Sequence, residues 1–331
     1  MPRVSVVIPA YNCASYLAGT VASALAQNFK DLEVLVVDDG STDTTEAVVR
    51  RLGANVRYIK TENEGPAAAR NRGILASSGD YIALLDADDS WEPRKLREQM
   101  PEFEKDEAVG LVYSDLHVHE DDGTVIPSFL STRPLASSGY VVDQYLRSKF
   151  IITSTVILRR SCLEQVGLFD ESMRSLEDCD FFLRFCHRWK VALVNQSLVR
   201  RRQRAGNLSS NEDLHTRYVI QFQHKALEIP DLSPDQFREL RRQLANAHFK
   251  RGHYCLRQRL LDESRKNLRL SVKYDGKNSA ALAFLAASYL PPELLSQLKE
   301  WRRWWLGRSP FAPSAALPSP LNPAAKPDSP H

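Results

Sequence analysis

Short apolar runs alternate with helix-period segments through the first third of the chain. VSVVIP precedes a helical pattern over Ala14 to Gln27, EVLVVDD one over Thr42 to Leu52, VRYIK one over Pro66 to Ser77, and YIALLD one over Pro93 to Phe103. This rhythm predicts a parallel sheet wrapped by helices. In such sheets ligands bind beyond the carboxyl ends of the strands. Three of the runs end there in polar side chains, Pro9-Ala10-Tyr11-Asn12, Asp38-Asp39 and Asp86 to Asp89, so these ends are expected to converge on one site.

From residue 105 to 211 the pattern is less regular. A strand is expected at GLVYSDLHV, a turn at Asp121-Asp122-Gly123 and an apolar strand at STVILRR, giving an α+β half that leans on the sheet. Residues 212 to 306 are helical almost throughout, and LANAHFKRGHYCLRQRLLDESRKNLRLSVKYDG loosely resembles a helix-turn-helix tetratricopeptide unit. The last stretch, 307 to 331, is too rich in proline for helix or sheet and is expected to be a disordered tail.

Composition narrows the class. At 331 residues, 43% hydrophobic and 26% charged, the chain has length for a real core and for two or three domains. A formal net charge of +3 gives the whole molecule no electrostatic reason to coat nucleic acid, although basic residues thicken after residue 197. The five cysteines form no CxxC pair and are odd in number, which fits free thiols in a reducing compartment and speaks against zinc. No run of about eighteen apolar residues exists, and the first apolar run is too short for a signal peptide. The expectation is a cytoplasmic, non-spanning protein.

The candidate chemistry lies in the acidic strand ends. If the strand stays extended, Asp86 and Asp88 share one side while Asp89 points away. Two carboxylates, completed by water and phosphate oxygens, are a common provision for Mg²⁺ or Mn²⁺. The alternative is a solvated acidic turn in which Asp89 or Ser90 caps the next helix. Asp39 is placed to accept hydrogen bonds from a base or ribose, or is simply a turn aspartate. Asp43 and Glu46 have capping-box spacing. Neither GxGxxG nor GxxxxGK[ST] occurs, so a metal-bridged diphosphate fits better than a glycine-rich phosphate cradle. Tyr11 either stacks on a base or joins the core, and Asn12 is expected to cap the helix after it. Arg70 and Arg72 open a helix behind Gly65-Pro66, a good start signal, and either could be solvated.

Taken in order, VSVVIPAYN, VVDDGSTDTT, NEGPAAARNRGI, GDYIALLDADDSWEP and GLFDESMRSLEDCDFFLRF resemble glycosyltransferase family 2 over roughly residues 3 to 210. The resemblance implies a GT-A fold, a Rossmann-like, mostly parallel sheet flanked by helices, that transfers a sugar from a nucleotide-sugar donor, usually with inversion. It implies a nucleotide-sugar-binding half at 1–104 and an acceptor-binding half at 105–211. Pro9, Tyr11 and Asp39 then line the nucleoside pocket, Arg70 lies near the donor, and Asp86 to Asp88 form the DxD motif with Asp88 facing a Mn²⁺ or Mg²⁺. Asp178 matches the catalytic base, with Glu177 beside it as a rival. Ser175, three positions earlier, leaves a capping-box role for Asp178 open, at the start of a helix whose Phe181, Phe182, Phe185 and Trp189 are expected in the core.

One segment departs from the family. VRRRQRAGNLSSN has Arg201 and Arg204 where Tyr and His often stand, so its arginines either hold a diphosphate or an anionic acceptor, or form a solvated basic strand. The expected partners are a nucleotide-sugar donor, with UDP favoured, and a saccharide or lipid-linked saccharide acceptor, as in cell-surface polysaccharide biosynthesis, with no nucleic acid. LKEWRRWWLGR, residues 298 to 308, mixes three Trp with four cationic side chains. That mixture suits either peripheral contact with the inner face of a membrane or a terminal helix packed on the transferase half. A nucleotidyltransferase on a related sheet and an inert interaction protein are the competing classes.

Overall fold

The structure, a computed structural model, describes residues 4–203 and 212–291. The first half runs β1 (Val4–Ala10), α1 (Ala14–Leu25), β2 (Leu32–Asp39), α2 (Thr45–Arg51), β3 (Val56–Thr61), α3 (Pro66–Ala76), β4 (Tyr81–Leu84), β5 (Ser90–Trp91), α4 (Lys95–Gln99) and α5 (Glu102–Lys105). It continues through β6 (Val109–Glu120), β7 (Val125–Ile126), α6 (Val142–Arg147), β8 (Ile157–Arg159), α7 (Leu163–Val166), α8 (Glu177–Arg188) and β9 (Lys190–Gln203). Four more helices follow, α9 (Glu212–Ala226), α10 (Pro234–Arg257), α11 (Leu261–Tyr274) and α12 (Ser279–Ala287). The segment LKEWRRWWLGR, the proline-rich stretch and Arg204 lie outside the described residues.

One sheet carries the order β3-β2-β1-β4-β8-β6-β9-β5, with β7 beside β6. The strands β3, β2, β1 and β4 are parallel, and β8 runs against both β4 and β6. Two reversals restore the direction, so β6 and its parallel neighbour β9 point the same way as β4. The carboxyl ends of β1, β2, β4, β6 and β9 therefore lie at one end of the sheet. Register brings the acidic ends together there, with Ala10 beside Asp38 and Asp39 beside Thr61.

Each face of the sheet buries its own layer. Val4, Val6 and Ile8 pack with Leu17, Val21 and Ala24 of α1, while Val7, Ile82 and Leu84 pack with Ile74 of α3 and Phe181, Phe182 and Phe185 of α8. Burying such a side chain contributes roughly 1.5–3 kcal/mol, which is why strands buried on both faces read as continuous apolar runs. Trp189 is only partly buried against the second layer. Helix α3 approaches β1 and β2 so closely that a Cβ on Gly73 would lie 2.3 Å from Val7 Cγ1. In the helical region, Gly252 of α10 meets Leu268 of α11 in the same manner, at 2.7 Å. Among the described residues no helix is long and apolar enough to cross a membrane. All five cysteines are free thiols.

Three local expectations fail for identifiable reasons. The helix expected over Pro93 to Phe103 is two short helices, because Pro101 lacks an N–H to continue α4 and instead starts α5. The chain after β4 does not stay extended: the Asp89 N–H donates to the Asp86 carbonyl at 3.1 Å, closing a turn over Asp86 to Asp89. Asn12, at φ 48°, leaves its own helix uncapped and instead accepts from the backbone N–H groups of Thr42 and Asp43.

The Gly73 contact predicts its own test. Gly73→Ala should destabilise the fold by about 1–3 kcal/mol through overpacking. Gly19→Ala, in α1 with nothing within 4 Å of the added carbon, should stabilise it by about 0.5–1 kcal/mol. Urea unfolding midpoints of the two variants should move in opposite directions.

Candidate active site

The first acidic pair is held almost entirely by backbone. Asp38 is fully buried, accepting from the Ser41 N–H at 2.8 Å and from the Tyr58 hydroxyl at 2.6 Å. Asp39 accepts from the Glu64 and Gly65 N–H groups, each at 2.9 Å. Gly65, at φ 99°, lets the chain turn there into α3 with Pro66 in the first helical turn, so Asp39 fixes the start of the helix that carries Arg70. Asp43 accepts from the Thr45 and Ala14 N–H groups, tying the α2 start to the α1 start, while Glu46 turns away to Arg50 and Lys60. The capping box expected from Asp43 and Glu46 thus does not form, and Asp43 holds the N–H two positions on instead. Pro9 is half-buried at the end of β1, and Tyr11 beyond it is 52% exposed, which removes it from the core.

The DxD turn sorts its aspartates by burial. Asp86 and Asp88 are half-buried, whereas Asp89 is buried and accepts from the Ser154 hydroxyl at 2.5 Å and the Arg202 N–H at 3.1 Å. Asp89 does not cap the next helix; it fastens the turn to β9 and to the segment before β8. Burial, and then the charges of Asp86 and Asp88, push its carboxyl up to about 8. Among the described residues no three His, Cys, Asp or Glu side chains gather into an all-protein cation site. Two carboxylates beside a diphosphate need no such third ligand, which is the provision that the half-buried Asp86 and Asp88 would offer Mg²⁺ or Mn²⁺.

Arg70 joins this turn to α8. It is 5% exposed, and its guanidinium donates to Asp86 Oδ1 at 2.8 Å and to Glu177 Oε1 at 2.7 Å. Burial works against the cation, but the two carboxylates overcome it and hold Arg70 above its ordinary pKa. Next to it, the Asn71 carboxamide accepts from the Phe169 N–H and donates to the Phe169 carbonyl and to Glu171. Arg72 pairs with Glu64 at the surface.

Helix α8 starts at Glu177, behind Leu176 in the left-handed region at φ 62°, with no side-chain cap. The Ser175 to Asp178 capping box does not form. Glu177 is buried on Arg70, and Asp180 is buried on Arg184 and Lys225. Asp178 is half-buried and accepts from the Cys179 N–H at 2.7 Å. Of the β9 arginines, Arg200 pairs with Glu92, Arg201 is half-buried, and Arg202 lies over the Tyr16 ring.

Sequence reasoning passed over Asn71, Ser154 and the pairing of Arg70 with Asp86 and Glu177. A carboxamide or hydroxyl carries no pattern of its own, and the Arg70 partners lie 16 and 107 positions away. The one available signal was the run Arg70-Asn71-Arg72, three polar side chains directly behind the three alanines that follow Pro66.

Residues 5–167 match the family model described as glycosyl transferase family 2. The chain is 33% identical over 218 residues to the chondroitin synthase of Pasteurella multocida, a match covering 63% of this chain and 21% of that protein. Among curated relatives of this kind the chain spans between 21% and 66% of their length. In three dimensions it is similar to S. aureus TarS 1-349 in complex with UDP-GlcNAc, with a TM-score of 0.61 and 18% identity over 82% of this chain and 81% of that one. It is also similar to the mannosyltransferase PcManGT from Pyrobaculum calidifontis in complex with GDP-Man and Mn²⁺, with a TM-score of 0.59 and 20% identity over 92% and 83%. The fold is that of GT-A enzymes.

Lys225 of α9 bridges Asp170 and Asp180, pinning the helical region to the start of α8. Burial alone would raise the Asp170 carboxyl, but Lys225 and Ser172 outweigh it and lower the pKa to about 2. A carboxylate depressed from about 3.9 stabilises the fold above that value and loses the contribution as pH falls toward 2. Asp170→Asn should therefore lower the urea midpoint at pH 6, and the difference from the parent protein should shrink steadily below pH 4.

Proposed function

Because the chain belongs to glycosyltransferase family 2 through residues 5–167, we propose that it moves a sugar from a nucleoside-diphosphate sugar, UDP-linked by preference, to a hydroxyl of a saccharide or lipid-linked saccharide, with inversion. The observation that carries this reading is the joining of the DxD turn to the start of α8 by Arg70 at the carboxyl end of the sheet. Two relatives bind UDP-GlcNAc and GDP-Man respectively, which supports a nucleotide-sugar donor. The chondroitin synthase relative supports a saccharide acceptor and polysaccharide assembly.

The roles follow from exposure and chemistry. Tyr11, exposed beyond β1, stacks on the base, with Pro9 and the Asp39 loop closing the nucleoside pocket. Asp86 and Asp88 would hold Mn²⁺ or Mg²⁺, which neutralises charge building on the departing diphosphate. Asp178 takes the proton of the acceptor hydroxyl as that oxygen bonds to the anomeric carbon, and the nucleoside diphosphate leaves with the electron pair of the broken C–O bond. Glu177, spent on Arg70, is the poorer base. Asp178 is the acid of that turn which the fold leaves least committed.

Metal dependence separates neighbours in the DxD turn. In a thermal-shift screen of UDP-, GDP- and TDP-sugars with Mn²⁺, the cognate donor should raise the melting temperature, and EDTA should abolish the shift. Asp88→Asn should lose the donor shift at nearly the parent melting temperature. Asp89→Asn, which disturbs contacts to Ser154 and Arg202, should instead lower the melting temperature itself. Equal donor loss in both variants would count against Asp88 as the metal-facing group.

For the base, Asp178→Asn should slow transfer by about 10²- to 10⁴-fold, the usual weight of general-base catalysis. Donor affinity should hardly move, since the nucleotide is gripped elsewhere. Single-turnover transfer rates and donor binding measured on the same protein would check both halves, and transfer at the parent rate would remove Asp178 from the mechanism.

A further inference from the structure

Arg70 is buried behind the site it serves. Its two terminal nitrogens are taken by Asp86 and Glu177, and its Nε is buried without a partner. The guanidinium also lies 5.5 Å from the centre of the Phe169 ring, which stacks on Phe181 of α8 at 4.1 Å. Asn71, one residue on, grips the Phe169 backbone from both sides. Three segments that would otherwise be set by separate loops are therefore referenced to one point on α3: the DxD turn, the stretch around Phe169, and the first turn of α8.

We propose, resting on the transferase reading above, that Arg70 is a positioning residue. It sets the DxD carboxylate Asp86, two residues from the metal-facing Asp88, against the base-bearing turn of α8 and rations its charge between Asp86 and Glu177, without itself contacting the donor. The planar fork is suited to this task, because it meets two carboxylates at once in fixed geometry, which a lysine ammonium cannot do. The charge sharing has a consequence. With Glu177 taking part of the guanidinium, Asp86 keeps enough uncompensated negative charge to attract a cation. With Glu177 neutral, Arg70 pairs fully with Asp86 and competes with the metal.

The test uses the full chain and Mn²⁺ alone as probe, followed by the electron paramagnetic resonance signal of the free ion. Glu177→Gln, nearly the same shape, should bind Mn²⁺ about tenfold more weakly, in the range usual for groups that orient metal ligands, at nearly unchanged melting temperature. Arg70→Lys should lower kcat more than it raises the donor KM. A residue that merely held the fold together would lower the melting temperature and leave Mn²⁺ affinity alone. A donor-contacting arginine would raise the donor KM without loss of kcat. Parent-like Mn²⁺ binding by Glu177→Gln overturns the proposal even where Arg70→Lys does not fold. Asp178→Asn serves as the reference: if it abolishes transfer while Glu177→Gln and Arg70→Lys behave as the parent, only the positioning role fails. If Asp178→Asn transfers at the parent rate, the transferase assignment of this site is what fails.

Discussion

A guanidinium with almost no access to water must be neutralised where it stands, and that requirement organises the carboxyl end of the sheet. Removing water from a cation costs several kcal/mol, so Arg70 is tolerable only with carboxylates on its terminal nitrogens. Those carboxylates come from the turn after β4 and the first turn of α8, elements that nothing along the chain connects. The pair therefore contributes specificity of arrangement more than net stability. Helix α3 in turn lies close against β1 and β2 at Gly73, where an added carbon would meet Val7 and Val37, and it buries Ala67, Ala68 and Ala69 ahead of Arg70. Small residues on one helix and a buried charge on the same helix are two sides of one solution.

The acidic residues at this end are numerous, and the fold divides them by what it donates to them. Asp38, Asp39, Asp43 and Asp89 accept backbone N–H groups and behave as fasteners of loops. Glu177 and Asp180 receive side-chain cations. Asp86 has one oxygen on Arg70, and it, Asp88 and Asp178 stay half-buried. The proposed transfer draws on carboxylates of this last kind, which keep partial access to solvent, Asp178 doing so while also accepting the Cys179 N–H.

The parallel strands, the convergence of their ends and the helical region were legible because each rests on a period or a boundary residue that the sequence displays. The family motifs put residue numbers on the site. What the sequence did not display were contacts whose partners are distant. Asp89 read as a helix cap because Ser154 and Arg202, 65 and 113 positions away, leave no local mark. Alternation puts Asp86 and Asp88 on one side only of an extended chain, and the turn closed by the Asp89 N–H takes the place of that chain. Asn12 was read as capping its own helix, and its left-handed backbone sends the side chain to the neighbouring loop instead.

The start of α8 shows how these constraints combine. Leu176 holds a left-handed backbone that costs a branched side chain on the order of 1–3 kcal/mol and persists only where the surroundings dictate it. The surroundings here are Arg70 on Glu177 and, from the helical region, Lys225 on Asp180, both within the first turn. Positions three apart on a helix lie on nearly the same face, so Glu177 and Asp180 are drawn inward together. Position 178 is about 100° away from 177 around the same axis and cannot follow them. Anchoring Glu177 and Asp180 thus leaves Asp178 half-buried at the positive end of the helix, where the Cys179 N–H supports its carboxylate. The backbone strain at Leu176 and the half-buried setting of Asp178 have the same cause.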